Sequence, residues 1–577
     1  MSLQLPLFAA WRQTLRAGYS RSSLQGDLAA GLTVGIIAIP LAMALAIAVG
    51  VPPQHGLYTV LIAAPLIALL GGSRFNISGP TAAFVVILLP ITQQYGIGGL
   101  LLCTLLAGLI LIALGLLRTG KLISFVPYPV TLGFTAGIGI VIATLQIKDF
   151  LGLQPQGEPA HYVAQLMSLG EALPSLQFGD ALVGMVCLGV LIVWPRFVPK
   201  IPGHLVALLV GTLLGLLLES AGLPLATLGE RFSYTLDGVE HPGIPPFLPS
   251  FAWPWDLPGP DGQPLVLSFE LIRQLMAPAF AIAMLGAIES LLCAVVADGM
   301  AGTKHDPNAE LLGQGIGNLM APLFGGITAT AAIARTATNV RAGAFSPLAA
   351  IIHAGVVLLA VLLLAPLFSY LPMSALAALL LMVAWNMSEA HHVVHTLKIA
   401  PRTDVLVLLV CLVLTVLFDM VLAVGVGLLL AAGLFIKRMS DITDTASLPA
   451  GFHESLQNLP EGVAAYAIRG PLFFGAAEKA LDTLRRFDRE MKVVIVEMSA
   501  VPLLDMTALA ALESILEHYQ RHGIGLVLVG TTPRVRLKLR RAGIHRREGE
   551  LAFVRNLVQA REKALQWIND TAIEPQV

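Results

Sequence analysis

Charge is scarce in this sequence, and the scarcity is uneven. Only 12% of the 577 residues are Asp, Glu, Lys or Arg, against 56% apolar residues, and mean hydropathy is +0.79. A soluble chain of ordinary composition carries about a quarter charged residues. Residues 441–577 match that proportion, holding 34 of the 71 charges, while residues 1–440 hold only 37. This excludes one uniform soluble protein and a disordered chain. It describes a large membrane region joined to an ordinary soluble domain. Cysteine is nearly missing. Cys103, Cys187, Cys293 and Cys411 lie inside apolar runs, at spacings that match neither a metal site nor a secreted disulfide framework. A basic excess is missing too: the formal net charge is −1, so nucleic acid is not an expected partner. No nucleophile–base arrangement, phosphate-binding glycine loop or metal spacing stands out, so neither an enzyme nor a bound metal or cofactor is expected. A cleavable signal-peptide pattern is also lacking. Residues 1–26, with Arg12, Arg16 and Arg21, read as a cytoplasmic arm ahead of the first apolar run.

Long apolar runs are what the sequence does have. A lipid-spanning helix needs about 20 apolar residues, and helices satisfy their own backbone in lipid. The expected spans are 27–49, 55–71, 79–95, 98–117, 123–148, 179–195, 201–219, 270–298, 309–323, 334–350, 351–369, 371–387, 403–418 and 419–436, making a fourteen-span domain over 27–436. With the N-terminus inside, the inner loops carry Arg74, Arg118 with Lys121, Arg196 with Lys200, Lys304, Lys398 with Arg402, and Lys437 with Arg438. That is the expected bias of cationic residues towards the cytoplasm, and it places both termini there. Lys148 and Arg341 fit less well. The long outer segment 220–269, rich in Pro, Gly and Trp, reads as an irregular lid.

Two spans are unusual. Phe75 to Ala83 and Ile327 to Thr336 each follow a glycine pair, Gly71-Gly72 and Gly325-Gly326, and each enters an apolar run that is short for a crossing. Pro80 suits the first turn of a helix. Each stretch reads as a short strand followed by a helix that begins inside the membrane, at matching places in two halves. Such paired broken helices point to a transporter site built from inverted repeats, although small residues also serve plain helix packing. Two helix starts facing each other offer unpaired amides and positive dipole ends to an anion. Thr81 and Thr336 add hydroxyls. Arg335 offers a fork for a carboxylate or sulfate, or else seals a structural pair. Glu289, at mid-span, is a candidate to carry a coupling proton or to hold sodium; a structural link is the alternative. Pro40 should break the first span in its middle and free carbonyls there. Asn308 and Asn386 are ambiguous, and Asn318 should bond a neighbouring helix. Asp419 should mark the turn between the last two spans. His391, His392 and His395 read as a basic cytoplasmic surface rather than a zinc set.

The tail has another rhythm. Strands are expected at Val463–Ile468, Lys492–Met498 and Gly525–Val529, with helices at Phe474–Arg486, Asp505–His518 and Pro533–Ala542. Together they make a small α/β sandwich over 441–560, followed by a tail over 561–577. Asp505 caps the second helix in this reading. Thr507 then presents a hydroxyl where a phosphate would meet a helix start; capping or packing is the plainer role.

Several motifs carry a family resemblance: Val51-Pro52-Pro53-Gln54-His55-Gly56-Leu57-Tyr58, Ser78-Gly79-Pro80-Thr81-Ala82-Ala83, Gly133-Phe134-Thr135-Ala136-Gly137, Glu289-Ser290 and Asp505-Met506-Thr507. Over about residues 20–555 the chain resembles the sulfate permease (SulP, solute carrier 26) family of anion transporters. The nearest likeness is to the bacterial aerobic C4-dicarboxylic acid transporters of that family, in passages such as Leu285 to Val295 and Leu380 to His391. The resemblance implies two inverted seven-span repeats arranged as core and gate domains, and a C-terminal STAS domain. It implies an anion site at Leu45, Thr81, Ala82, Ala334, Arg335 and Thr336, with Pro40 and Pro80 shaping it and Glu289 coupling protons. It further implies a homodimer in a bacterial inner membrane, a cytoplasmic protein partner for the STAS domain, regulation at Thr507, and uptake of succinate, fumarate, malate or aspartate. Sulfate or sodium-coupled bicarbonate carriage, an anion channel and a membrane-anchored signalling protein are the alternatives. Two departures stand out. Leu41 replaces a glutamine and Ala334 a serine that many relatives carry, so fewer polar side chains face the anion.

Overall fold

The structure, a computed structural model, describes residues 7–123, 126–157, 162–198, 201–418, 420–448, 454, 459–485 and 490–573. Lys200, Asp419, Arg486 and the extreme ends of the expected arm and tail lie outside these residues. The chain divides into two units, Met1–Leu428 and Leu429–Val577.

The first unit is built from apolar helices in two sets. The first set comprises α1 (Arg21–Ala48), α2 (Gln54–Leu70), the two-residue strand β1 (Ser78–Gly79), α3 (Val85–Leu116), α4 (Tyr128–Leu151), α5 (Phe178–Phe197) and α6 (Gly203–Ser220). An antiparallel hairpin, β2 (Ser233–Leu236) and β3 (Val239–Pro242), stands in the connecting segment. The second set comprises α7 (Phe269–Ala301), α8 (Pro307–Met320), β4 (Thr330–Ala331), α9 (Ile333–Arg341), α10 (Leu348–Phe368), α11 (Met373–Ser388), α12 (Arg402–Leu417) and α13 (Met420–Ile442), which from Leu429 on belongs to the second unit. Among the described residues, nine helical stretches are long and apolar enough to cross a membrane. The segments that fall short are α2, α8, α9 and α12.

The thirteen helices account for the fourteen expected spans because α3 holds two of them. It breaks at Gly96, whose φ of 69° and ψ of −174° are not helical. A side chain cannot stand there: a Cβ would lie 2.4 Å from the carbonyl carbon of Gly259. The lid segment passes that close because Gly98 N–H donates to the Pro258 carbonyl at 3.0 Å. The lid is therefore ordered by contacts of its own, which include the stacked Trp253 and Trp255 rings, 4.8 Å apart.

One expected boundary is corrected. The span 334–350 is not one crossing, since α9 ends at Arg341 and α10 begins at Leu348. The intervening turn is tied to α1. Asp27, fully buried, accepts from Phe345 N at 2.6 Å and Ser346 N at 2.9 Å, and from the Ser346 hydroxyl at 2.5 Å. Hydropathy alone does not register such a tie, because the residues it joins are 318 apart in sequence.

The second unit holds a five-stranded sheet in the order β5 (Asp444–Ser447), β6 (Val463–Arg469), β7 (Val493–Glu497), β8 (Gly525–Val529), β9 (Leu551–Val554). The β5–β6 pair is antiparallel and the rest are parallel. Helices α14 (Ala477–Arg485), α15 (Met506–Arg521) and α16 (Pro533–Arg541) cover one face, where Val494, Val496, Leu526 and Leu528 pack on Leu512, Ile515 and Leu539. Helix α17 (Leu557–Ile573) covers the other, packing Ala560, Ala564 and Trp567 on Val493, Ile495 and Val527. Burial of both faces is why β7 and β8 read as continuous apolar runs rather than alternating ones. α17 runs straight through the boundary expected at 560.

Candidate anion-binding site

The two short strands meet. β1 and β4 pair antiparallel, Ser78 with Ala331 and Gly79 with Thr330, and each leads directly into a helix start. After β1 the chain makes a short 3-10 turn over Ala82–Phe84 before α3, with Thr81 extended at its head. After β4, Ala332 is the extended residue before α9. The first intrahelical donor on the β1 side is Phe84 N, to Thr81 O, and on the β4 side it is Thr336 N, to Ala332 O. The amides that precede them in each turn lack intrahelical acceptors, as at every helix start. Two positive ends are thus brought to one place.

Arg335 lies between them. It is only 5% exposed, and its Nη2 donates to the Pro80 carbonyl at 2.5 Å. Its Nη1 is buried and meets no acceptor among the described residues. A buried guanidinium donor without a partner is costly, and it suits a site meant for an anionic oxygen. Gly79 permits this placement, because a Cβ there would sit 2.8 Å from Nη1. Thr81, next in line, donates its hydroxyl to Glu289 Oε2 on α7 at 3.1 Å. No contact within 4 Å joins Glu289 to Arg335 among the described residues, so the carboxylate does not cancel the guanidinium by direct pairing.

The other expected site residues differ in burial and in what they touch. Thr336 is buried, and its hydroxyl accepts from Ile77 N at 3.0 Å, so it braces β1. Ala82 is buried in the turn after Thr81, while Ala334 is exposed on the first turn of α9. Leu45 is buried on α1, which packs against α9. Pro40 is a correction: α1 runs unbroken from Arg21 to Ala48 through it. Proline removes one helical hydrogen bond there and leaves the Ile36 carbonyl without its usual donor, but neighbouring turns and packing carry the helix across. Pro80 contributes its carbonyl to Arg335.

A polar web surrounds these groups, and most of it was not singled out from the sequence. Glu310, on α8, is 1% exposed. Its Oε2 accepts from Gly72 N and Ser73 N, both at 3.0 Å, and its Oε1 from Asn76 Nδ2 at 2.7 Å and Gln314 Nε2 at 3.3 Å. Gln314 also donates to Ser78 Oγ at 3.0 Å. Asn318 was expected to bond a neighbouring helix. It instead pairs with both backbone groups of Ala329, just ahead of β4, at 2.7 and 2.8 Å. Ser290, beside Glu289, shares a 2.6 Å hydroxyl contact with Thr330. On α2, His55 Nδ1 meets the Gly325 carbonyl at 2.6 Å and Thr59 donates to the Ile327 carbonyl at 3.0 Å. Each strand-bearing loop is therefore held by the second helix of the opposite set. A signal for half of this existed: Glu310, Gln314 and Asn318 recur every four residues and share one face of α8. Asn308 accepts from Gly120 N at 3.2 Å, and Asn386, His391, His392 and His395 are exposed.

In the second unit, Asp505 caps α15 through Ala508 N at 2.8 Å and accepts from Phe474 N at 2.8 Å. Thr507 is exposed on the first turn and is not needed as the cap.

Fold and site together define a polytopic helical transporter whose substrates are anions. The sulfate permease family model matches residues 24–411 and the STAS domain model residues 458–560. The chain belongs to the sulfate permease family, and it is a transporter rather than an enzyme. Among its relatives, the putative sulfate transporter YvdB of Bacillus subtilis (strain 168) is 40% identical over 538 residues, 93% of this chain and 97% of that one. The bicarbonate transporter BicA of Synechocystis sp. is 32% identical, covering 91% of each. The murine solute carrier 26 member A9 anion transporter, solved in the inward-facing state, superposes with a TM-score of 0.81 at 18% identity, covering 98% of this chain and 94% of that one.

Proposed function

We propose that the chain is an alternating-access secondary carrier that takes up C4-dicarboxylates (succinate, fumarate, malate or aspartate) with protons. The observation that carries this is the unpartnered Nη1 of Arg335, held beside β1 and between two helix starts. One substrate carboxylate completes the guanidinium fork, and the free amides of the two turns complete its shell. Leu45, Ala82 and Ala334 supply apolar surface, which suits a carbon chain better than sulfate.

Glu289 makes the coupling. Ionised, it accepts from Thr81 and places a second negative charge near the anion; protonated, it removes that repulsion. Substrate and proton thus favour each other's binding, and they leave together. In this reading the cytoplasm holds both termini, the membrane is a bacterial inner membrane, and the working form is a homodimer. The STAS domain is the part that meets a cytoplasmic protein, with exposed Thr507 as the residue a kinase would reach.

A sulfate or bicarbonate carrier, the latter coupled to sodium, is the second reading. It is favoured by what the names of the relatives say of those proteins. The test is uptake by purified protein in liposomes, with labelled succinate, sulfate or bicarbonate, under an inward proton or sodium gradient. Proton-driven accumulation of succinate supports the first reading. Sodium-driven bicarbonate or sulfate uptake replaces it with the second, and rapid ungated anion current would replace both with a channel.

A further inference from the structure

The transport mechanism above uses Glu289 and leaves Glu310 unexplained. Glu310 is a carboxylate in an apolar region, 1% exposed, with no cationic side chain paired to it among the described residues. Burying such a charge is costly unless hydrogen bonds replace the water. Here four N–H groups do so. Two are backbone amides of Gly72 and Ser73, and two are the side-chain amides of Asn76 and Gln314.

Asn76 Nδ2 also serves the Ser290 carbonyl at 3.1 Å, so the donors that meet Glu310 are tied to the surrounding elements. Glu289, by contrast, accepts from one rotatable hydroxyl.

The four donors define what the Glu310 carboxyl group holds. Gly72, Ser73 and Asn76 lead straight into β1 and Thr81, and Gln314 reaches forward to Ser78. The glycine pair makes the approach feasible. A Cβ on Gly71 would stand 2.9 Å from Glu310 Oε2, and one on Gly72 would stand 2.0 Å from the Asp306 carbonyl oxygen.

We infer that Glu310 is a positioning residue, which fixes loop 71–79 on α8 and so aims Pro80, Thr81 and their helix start at the substrate, while Glu289 exchanges the proton. This rests on the transport reading, and the experiment separates the two. Wild type, Glu310→Gln and Asn76→Ala are compared in liposomes with labelled succinate, sulfate and bicarbonate, across pH. In the same samples, backbone hydrogen exchange is followed at residues 71–79.

Gln at 310 cannot accept from all four donors, so KM should rise about tenfold, equivalent to about 1.4 kcal/mol. Asn76→Ala, a milder change, should raise KM about threefold. The midpoint of the pH profile should stay in place in both variants. Residues 71–79 should exchange faster in Glu310→Gln. A role in stability alone would lower the amount of folded protein and leave KM as it was. Unchanged KM in either variant overturns the assignment, as does a displaced pH midpoint in Glu310→Gln, which would make Glu310 the proton carrier. If Glu310→Gln does not fold, Asn76→Ala decides by the same KM criterion. If wild type accumulates none of the three anions, the transport reading fails. Exchange at 71–79 then decides for Glu310: faster exchange in the variants supports the tether, and unchanged exchange rejects it.

Discussion

The Thr81 hydroxyl donates to Glu289 at 3.1 Å, which joins the head of one helix start to a carboxylate on α7. Thr81 comes from the first set of helices and Glu289 from the second, 208 residues later. Substrate contact and proton contact are thus neighbours along a single short path from Pro80.

Replacing Glu289 by Gln keeps the shape and removes the titration. Uptake in this variant should lose its dependence on an inward proton gradient while the protein still folds. Proteoliposome uptake at several pH values measures this, and a wild-type pH profile would refute the coupling role. Thr81→Val should raise KM about two- to tenfold, the weight of one ordinary hydrogen bond.

Arg335→Lys keeps a positive charge but loses the planar fork that reaches the Pro80 carbonyl and the anion together. KM should rise about tenfold or more, and Arg335→Ala should cost further. Equal affinity of Arg335→Lys and wild type, measured by substrate-dependent protection or uptake, would assign the arginine to structure.

Gly79→Ala tests the same contact from the other side. The added methyl group would meet Nη1 at 2.8 Å, well inside normal contact, so the guanidinium must shift. Weaker substrate binding with little change in expression is the expected outcome.

Much of this arrangement was legible in the sequence. The glycine pairs and the short apolar runs after them marked both strand-to-helix starts, and Arg335 and Glu289 stood out as charges in an apolar background. What was hidden depends on distance along the chain. Hydropathy joined α9 to α10 because the turn between them is held by Asp27, a residue far away on α1. Pro40 looked like a break because local rules count one lost hydrogen bond, while the packed helix tolerates it. Glu310 lies near the edge of the expected span 309–323 and drew no reading of its own. Its four-residue spacing to Gln314 and Asn318 is the one sequence signal it carries. In the tail, α17 was missed because its apolar positions, Leu557, Ala560, Ala564, Trp567 and Ile568, are interspersed with charged and polar residues.

Asn318→Ala should destabilise the first unit by about 2–4 kcal/mol, since it strips both backbone groups of Ala329 of their partner inside the protein. Thermal unfolding in detergent reads this. A loss smaller than about 1 kcal/mol would mean that the loop finds other partners.

The second unit should show a small acid-sensitive contribution from Glu548. Hydrogen bonds from Lys563, then from Trp567, hold this carboxylate below its ordinary range. A depressed acid stabilises the fold above its unfolded-state value, near pH 4, and that contribution fades as pH falls through the folded value. Glu548→Gln should therefore unfold at a lower temperature than wild type at pH 7, and the difference should shrink as the pH falls below the unfolded-state value. A gap that persists there would trace the effect to packing instead.

Because Glu310 grips the loop of one half while His55 and Thr59 grip the loop of the other, neither half is self-sufficient. Synthesised separately, the first half would lack the Glu310 grip on its bend, while the second would keep Asn318 on its own loop and lose His55 and Thr59. Damage to one repeat should accordingly surface as disorder in its twin, and the molecule inherits this mutual dependence wherever it is cut, permuted or rebuilt.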